Sequence, residues 1–193
     1  MFLTIFTRTF FIEGRKFARP GFLAVNRASI AQQTDGDYDH VLLIDEERRG
    51  VAYADVMFSL NIDKIRGDYV YTLDDDNALN TPTFVSELKA VAEAYDPDVI
   101  MFRANYTTRG ALPDADHWNK RHIEFCHVSP FNCIVKREWF IRFVEYWQHG
   151  GAYVGDFEFL KALETNGAKF YWYEGEGDGV MAYIQKSSDG GVE

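Results

Sequence analysis

The chain has little cysteine and no long hydrophobic segment. Cys126 and Cys133 are its only cysteines, and their spacing matches no zinc motif. We therefore expect two buried cysteines without a disulfide in a reducing compartment, although His122 and His127 leave a Cys/His zinc site open. The apolar residues 1–6 are too few for a membrane span and lack the basic flank of a signal peptide. A cytoplasmic protein with no membrane span is the expectation.

Runs of basic residues are absent too, and the net charge is −10. A protein that binds nucleic acid through its phosphates needs a basic face, so a nucleic-acid partner is disfavoured. An acidic protein that binds a phosphorylated small molecule would use a metal to bridge the like charges. The apolar fraction of 47%, with 16% aromatic residues, excludes a disordered chain and predicts a compact core.

Both common glycine-rich phosphate loops are missing. No GxGxxG follows the first predicted strand, which argues against a dinucleotide-binding Rossmann site, and no GxxxxGK[ST] indicates a P-loop. A sheet that binds a nucleotide without either loop must hold the diphosphate in another way. A metal held by carboxylates does so directly.

Hydrophobic periodicity predicts strands that alternate with helices. Strands are predicted over residues 1–7, 38–45, 69–73, 98–103 and 169–173, with one or two more within 123–135. Helices are predicted over residues 21–33, 51–65, 136–149 and 156–165, and another begins at Thr81 as N-cap and Pro82. Residues 7–20 and 106–119 are predicted loops, and the tail from Glu174 is a predicted lid or frayed end. This alternation predicts an α/β fold, with a mostly parallel sheet between helices in a single compact domain.

Three consecutive acids, Asp74, Asp75 and Asp76, follow the strand predicted over 69–73. Like charges this close repel, so we expect a cation beside them. Carboxylate oxygens suit Mg²⁺, Mn²⁺ or Ca²⁺. In open α/β sheets, ligands bind beyond the carboxyl ends of the strands, which is where the triplet lies. The alternative is an acidic turn that caps the next helix.

Several segments of the first half together resemble the family 2 glycosyltransferases of the GT-A fold. They are residues 27–34 (RASIAQQT), 37–46 (DYDHVLLIDE) and 67–76 (GDYVYTLDDD), with Asn61 between the last two. The resemblance covers residues 1–105 in order. In the second half, only residues 155–158 (GDFE) look like the family's E-D segment, and glycine replaces its first acid. The resemblance implies one GT-A domain over residues 1–193, with a nucleotide-sugar-binding half over 1–105 and an acceptor-side half over 106–193.

The implied reaction is transfer of a sugar from a nucleotide donor, most often UDP-linked, to a glycan or other acceptor hydroxyl. It would be a hexosyltransferase reaction that inverts the anomeric carbon. Asp76 with Asp74 would hold Mn²⁺ or Mg²⁺, which stabilises charge on the leaving diphosphate. Asp156 would be the base that takes the acceptor proton. Glu158 belongs to the same segment, and Trp118 in the polar loop is the candidate to stack on the acceptor side.

The donor would be held by polar groups at the ends of the first three predicted strands. Thr7 would lie against the uridine beside Arg8, and Asp45 would accept from the base N3–H. Asp74 would contact the ribose, and Asp75 the sugar. Asp45 has a simpler alternative, since it could be only a turn residue at the end of its strand.

Two other functions stay open from the sequence. A nucleotidyltransferase acting on a sugar phosphate uses a similar sheet, but it needs a glycine- and lysine-rich first loop, of which Gly14-Arg15-Lys16 is a weak counterpart. A non-catalytic carbohydrate- or calcium-binding module with a degenerate transferase fold is the other. In that case Asp156 would be only the N-cap of its helix.

Overall fold

A computed structural model describes residues 1–12, 16–106, 110–148, 154–175 and 180–185 of the chain. The strands are β1 (Leu3–Ile12), β2 (Lys16–Phe17), β3 (Tyr38–Asp45), β4 (Tyr69–Thr72), β5 (Asn77–Leu79), β6 (Val99–Met101), β7 (Arg103–Tyr106), β8 (Gly110–Leu112), β9 (Cys133–Lys136), β10 (Phe170–Trp172) and β11 (Val180–Ile184). The α-helices are α1 (Pro20–Ala31), α2 (Val51–Ser59), α3 (Phe84–Tyr95), α4 (Ala115–Lys120), α5 (Arg137–Phe143) and α6 (Gly155–Thr165). Short 3₁₀ segments lie at Ile62–Lys64, Pro130–Asn132 and Val144–Gln148.

The central sheet has the strand order β10-β6-β9-β4-β1, and β1 also pairs with β2 and β3. β1 is parallel to β3 and β4, and β6 is parallel to β10. β9 runs antiparallel between β4 and β6, and β2 is antiparallel to β1. The predicted α/β class, the mostly parallel sheet and the single compact domain are confirmed.

Two apolar clusters lie on opposite faces of this sheet, because successive strand side chains point to opposite sides. In β4, Val70 belongs to one cluster, whereas Tyr69 and Tyr71 belong to the other. The first cluster is completed by side chains of α2, α5 and α6, and the second by side chains of α1 and α3. Burying both faces in this way accounts for the continuous apolar runs of the strands.

A second sheet, with the order β5-β11-β7-β8, was not predicted. It includes β8 from the predicted loop over 106–119, which also contains α4, and β11 from the predicted tail. β11 pairs with β5 directly after the acid triplet. The backbone N–H of Gln185 donates to the carbonyl of Asp76 at 2.8 Å. The acidic tail therefore returns to the triplet as far as residue 185, and residues 176–179 and 186–193 lie outside the described residues.

Some predicted element boundaries need correction. β1 extends to Ile12 and forms a short antiparallel ladder with β2, so residues 7–20 are not a single loop. α3 begins at Phe84 after Thr83. Thr81 is not the cap, because its hydroxyl accepts from the backbone N–H of Thr83 in the preceding turn. Of the one or two strands predicted within residues 123–135, the structure has β9, which follows the 3₁₀ segment Pro130–Asn132.

The helices over 51–65 and 136–149 are shorter than predicted, since each gives way to a 3₁₀ segment. None of the helices in the described part of the chain has the length and hydrophobicity that crossing a membrane requires. Cys133 is buried in β9, whereas Cys126 is exposed rather than buried as expected, and no disulfide joins them.

Candidate active site

A cleft of about 480 Å³ opens at the carboxyl ends of β1, β3 and β4. This edge of a parallel sheet is where ligands of open α/β folds bind. Four of the predicted site residues line the cleft: Arg8, Asp45, Asp74 and Asp156. Residues of α2 and the start of α6 form the opposite wall. Side chains separated by up to 148 positions in the sequence thus meet in one concave site.

Arg8 is the ionic centre of this cleft. Its Nε and Nη2 donate to the two carboxylate oxygens of Asp74 at 2.7 and 2.8 Å, and its Nη1 donates to Asp55 at 3.0 Å. The guanidinium lies 4.5 Å from the ring centroid of Phe58 and 5.5 Å from that of Trp147. Burial opposes the charge of Arg8, but the two carboxylates outweigh burial and raise its pKa.

Arg19 neutralises the rest of the triplet. Its Nη2 lies 2.7 Å from Oδ1 of Asp75, and its Nη1 donates to Asp76 at 2.6 Å. Thr9 donates to the other oxygen of Asp75 at 2.7 Å. Burial raises the pKa of Asp75 to about 6, although Arg19 and Thr9 act against it. Arg8 and Arg19 thus place positive charge beside all three acids of the triplet, and the metal expected there stays a prediction.

Asp75 itself is fully buried and is absent from the cleft lining. Its carboxylate is occupied by Arg19 and Thr9. The expected contact of Asp75 with the donor sugar is therefore corrected to a structural role beneath the cleft.

The residues predicted to bind Mn²⁺ or Mg²⁺ have side chains of the type that such ions prefer. Asp74 and Asp76 are carboxylates with side-chain exposures of 36% and 29%, and hard cations prefer oxygen ligands of this type. A carboxylate oxygen that accepts from arginine keeps another lone pair. A bound cation would nevertheless share these carboxylates with Arg8 and Arg19. Only Asp74 of the pair lines the cleft.

Asp45 ends β3 and holds the loop that follows. One oxygen accepts from the backbone N–H of Glu47 at 3.2 Å and from Nε of Arg49 at 3.1 Å, and the other accepts from the backbone N–H of Arg49. Burial acts to raise the pKa of Asp45, but these bonds outweigh burial and lower it. Asp45 therefore has the turn role that was considered from the sequence. One lone pair stays available to a ligand in the cleft.

Asp156 lies in the first turn of α6, where the N-cap position is Val154. Asp156 is therefore not the cap of its helix, and its Oδ1 accepts from the backbone N–H of Phe157 at 2.8 Å. Burial raises its pKa to about 6, with a smaller contribution from the charge of Asp55 and an opposing one from Arg8. A carboxylate with this pKa, at the wall of a cleft, is suited to general-base chemistry near neutral pH.

Gly155 explains why the segment before Asp156 lacks the first acid of the family pattern. A Cβ at this position would lie 1.8 Å from the carbonyl oxygen of Trp147. The start of α6 therefore packs directly on the 3₁₀ segment Val144–Gln148, and no side chain fits. The departure from the pattern is a packing requirement of this chain.

Three predicted site residues lie away from the cleft. Thr7 is in the middle of β1, fully buried, and bonds to Asn26 and His40. It was assigned to a strand end because the strand was predicted five residues too short. Trp118 packs edge-on against Trp172 with ring centroids 5.0 Å apart, and Glu158 in α6 is not among the lining residues.

Sequence reasoning missed several residues that build the site. Arg19 places a positive charge beside Asp75 and Asp76, and Asp55 places a negative charge beside Arg8. Asn26 is fully buried in α1 and donates to the carbonyls of Asp74 at 3.1 Å and Asn77 at 2.9 Å, which fixes the triplet backbone. The sequence signal for a buried polar role was that this asparagine lies on the same helix face as Leu23 and Ile30. Trp147 also lines the cleft, and among the described residues its buried Nε1 has no hydrogen-bond partner.

Comparisons with known proteins agree on the fold. Neither a protein-family model nor a curated protein matches the sequence. Solved structures do match. TarS 1–349 of S. aureus in complex with UDP-GlcNAc has a TM-score of 0.69 at 13% identity, over 97% of this chain and 59% of that one. TarS 1–349 in complex with UDP has a TM-score of 0.67 at 12% identity, over 97% and 61%.

A protein of similar length also matches. A197 from STIV has a TM-score of 0.50 at 14% identity, over 100% of this chain and 98% of that one. The present chain thus spans about three fifths of the TarS 1–349 chains and nearly the whole of A197. At these identities the likeness concerns the fold alone, and this chain shares the fold of the TarS 1–349 structures.

Proposed function

We propose that the protein transfers a sugar from a nucleotide-sugar donor, UDP-linked, to an acceptor hydroxyl. The observation that carries this proposal is the meeting of Asp45, Asp74 and Asp156 in one cleft at the carboxyl edge of the parallel strands. The cleft volume lies within the range of small-molecule sites. The complexes of TarS with UDP-GlcNAc and UDP support this donor class. Membership of family 2 stays a prediction from the sequence.

On the donor side, Asp45 has a lone pair for the N3–H of uracil. The diphosphate would meet Arg19 and Arg48, which both line the cleft and offer positive charge to phosphate oxygens. Mn²⁺ or Mg²⁺ held by Asp74 and Asp76 would supply Lewis-acid stabilisation of the leaving diphosphate.

On the acceptor side, Asp156 is the proposed base. The acceptor oxygen attacks the anomeric carbon while the bond from that carbon to the phosphate oxygen breaks, and the hydroxyl proton passes to the Asp156 carboxylate. One base, with attack opposite the leaving group, inverts the anomeric carbon. Because its pKa is about 6, Asp156 is ionised at neutral pH and still basic enough to accept the proton.

The test is an assay of UDP-sugar turnover, by transfer or hydrolysis, with Mn²⁺ present. Asp156→Asn is expected to lower turnover by about 10²–10⁴ while leaving UDP affinity nearly unchanged. Asp116→Asn is the matched control, because Asp116 is 84% exposed in α4, outside the cleft. The wild-type rate should rise with pH through about 6 and then level off. Normal turnover by Asp156→Asn would contradict the assigned base.

Product assays with the same purified protein distinguish the two alternative functions from sugar transfer. A nucleotidyltransferase would form a nucleotide sugar from a nucleoside triphosphate and a sugar phosphate, and we expect no such product. Residues 14 and 15 of its proposed first loop lie outside the described residues. A non-catalytic module would bind UDP or sugar but leave every donor intact.

A further inference from the structure

A cluster of imidazole and carboxylate groups lies in the segment between β8 and β9. Asp114 is the N-cap of α4, and its Oδ1 accepts from the backbone N–H of His117 at 3.0 Å. This cap fixes His117 one helical turn after Asp114. His127, ten residues later, returns to stack on His117 with ring centroids 3.7 Å apart.

The ligand atoms of these three residues converge. Nδ1 of His117 lies 2.8 Å from Oδ1 of Asp114, and Nδ1 of His127 lies 3.2 Å from Oδ2. One ligand atom from each of the three residues lies within 4.8 Å of the other two. Among the described residues, this is the one group of three or more histidine, cysteine or acidic side chains that converges in this way. Nδ1 of His127 is buried and forms no hydrogen bond of acceptable geometry within the described structure. A nitrogen that faces a carboxylate without bonding to it is well placed to bind a cation between them.

Glu124 provides the outer support that such sites have. Its carboxylate lies 2.9 Å from Nε2 of His117. A histidine that donates from one ring nitrogen to a carboxylate is held in the tautomer whose other nitrogen can bind a metal. His117 therefore turns Nδ1 toward Asp114 and His127 with its orientation fixed.

We propose that Asp114, His117 and His127 form a zinc site. Two imidazole nitrogens and one carboxylate oxygen suit Zn²⁺, whereas Mg²⁺ and Ca²⁺ prefer all-oxygen sets. Three protein ligands leave a fourth position for water. The site contains no cysteine, unlike the Cys/His arrangement considered from the sequence. It is separate from the triplet and independent of the proposed transfer reaction.

Zinc here would fix the segment that borders the acceptor side of the cleft. Phe125, between the ligands, packs against Phe157 with ring centroids 5.6 Å apart, directly beside Asp156. Ser129, two residues after His127, lines the cleft. A metal that ties Asp114 and His117 to His127 removes conformational freedom from this segment, which contacts α6 through Phe125.

The experiment is a zinc titration of the metal-stripped full chain without a polyhistidine tag, by calorimetry and thermal unfolding. One Zn²⁺ per chain is expected to bind and to raise Tm. His127→Asn and His117→Asn should abolish this binding, and Glu124→Gln should weaken it about 10–100-fold. Asp116→Asn is the matched control, since Asp116 is 84% exposed on α4 and outside the ligand set. Asp76→Asn should retain the zinc site.

Anomalous diffraction at the zinc edge gives a second readout that does not depend on variant stability. A peak between the Asp114, His117 and His127 side chains would support the site. No bound zinc, zinc elsewhere, or equal affinity in a correctly folded His127→Asn variant would overturn it.

Discussion

At the scale of single residues, folding has made two acids harder to ionise, one at the wall of the cleft and one beneath it. Burial is the main reason that Asp75 and Asp156 both have a pKa near 6. Asp75 has Arg19 and Thr9 beside it, whereas Asp156 accepts from the backbone N–H of Phe157. A buried carboxylate whose pKa is raised in this way destabilises the fold near neutral pH, where it is ionised. Such a cost is typical of a group retained for its chemistry.

Asp156→Asn should therefore be more stable than the wild type at neutral pH. The folded-state pKa of about 6 lies above the ordinary value of 3.8, so wild-type stability falls as pH rises through this interval. The variant lacks that loss and should gain about 1–3 kcal/mol at about pH 7.5. Below about pH 3 the carboxyl is protonated in both states, so the difference should vanish.

Urea unfolding of both proteins at these two pH values measures the difference. Asp116→Asn, at an exposed position, should change stability by less than about 0.5 kcal/mol at either pH. A variant that is no more stable than the wild type at about pH 7.5 would show that Asp156 is better solvated or better paired than the structure indicates.

Two of the predicted site residues that line the cleft lie at well-patterned strand ends. Asp45 and Asp74 each follow a continuous apolar run, so the end of the strand was visible, and both line the cleft. The end of β1 was not visible, because residues 7–12 mix polar and aromatic side chains. Thr7 was therefore assigned to the strand end, although β1 continues to Ile12. The arginine partners of the triplet could not be predicted, because Arg19 reaches residues 56 and 57 positions away.

At the scale of elements, the entry of α6 sets the position of the candidate base. Gly155 contacts the backbone at Trp147, and Asp156 is the next residue. The aromatic contact between Trp147 and Phe58, with ring centroids 4.7 Å apart, then ties this junction to α2. The two helices that wall the cleft are thus held through one tight backbone contact.

Gly155→Ala is expected to force α6 away from that contact. The added methyl would overlap backbone rather than a flexible side chain, so we expect a loss of about 3 kcal/mol or more, together with lower UDP-sugar turnover. Gly21→Ala is the matched control. Its Cβ meets no atom within 4 Å in α1, so the change should be neutral or stabilise by up to about 1 kcal/mol.

Denaturant unfolding of both glycine variants gives the comparison directly. Equal stability of Gly155→Ala and the wild type would mean that α6 begins farther from the 3₁₀ segment than described.

The elements that the sequence did not reveal are those held by distant partners. β11 is five residues long and follows a glycine-rich stretch, so it has no strong local pattern; it exists because β5 and β7 flank it. α4 is six residues long and depends on its Asp114 cap. Helices with a long apolar stripe, such as α3 and α6, were predicted nearly to their ends because their periodicity is local.

At the scale of the whole molecule, one sheet edge brings together Asp45, Asp74 and Asp156, on which the proposed sugar transfer depends. Two apolar clusters make the sheet rigid from both sides, and the smaller sheet holds the backbone after the triplet. The fold is shared with TarS structures that contain UDP-GlcNAc and UDP. The central claim is that the carboxyl edge of the parallel strands in this chain binds a nucleotide sugar.

Calorimetric titration with UDP tests this claim most directly, using a variant that fills the cleft without changing its charge. Ala54 lines the cleft, and Ala90 is exposed on α3, so Ala54→Trp is the test and Ala90→Trp the control. We predict that the wild type and Ala90→Trp bind UDP equally, and that Ala54→Trp, with the ligand displaced, binds at least about tenfold more weakly. Equal binding by all three proteins, or no binding by the wild type, would contradict the account.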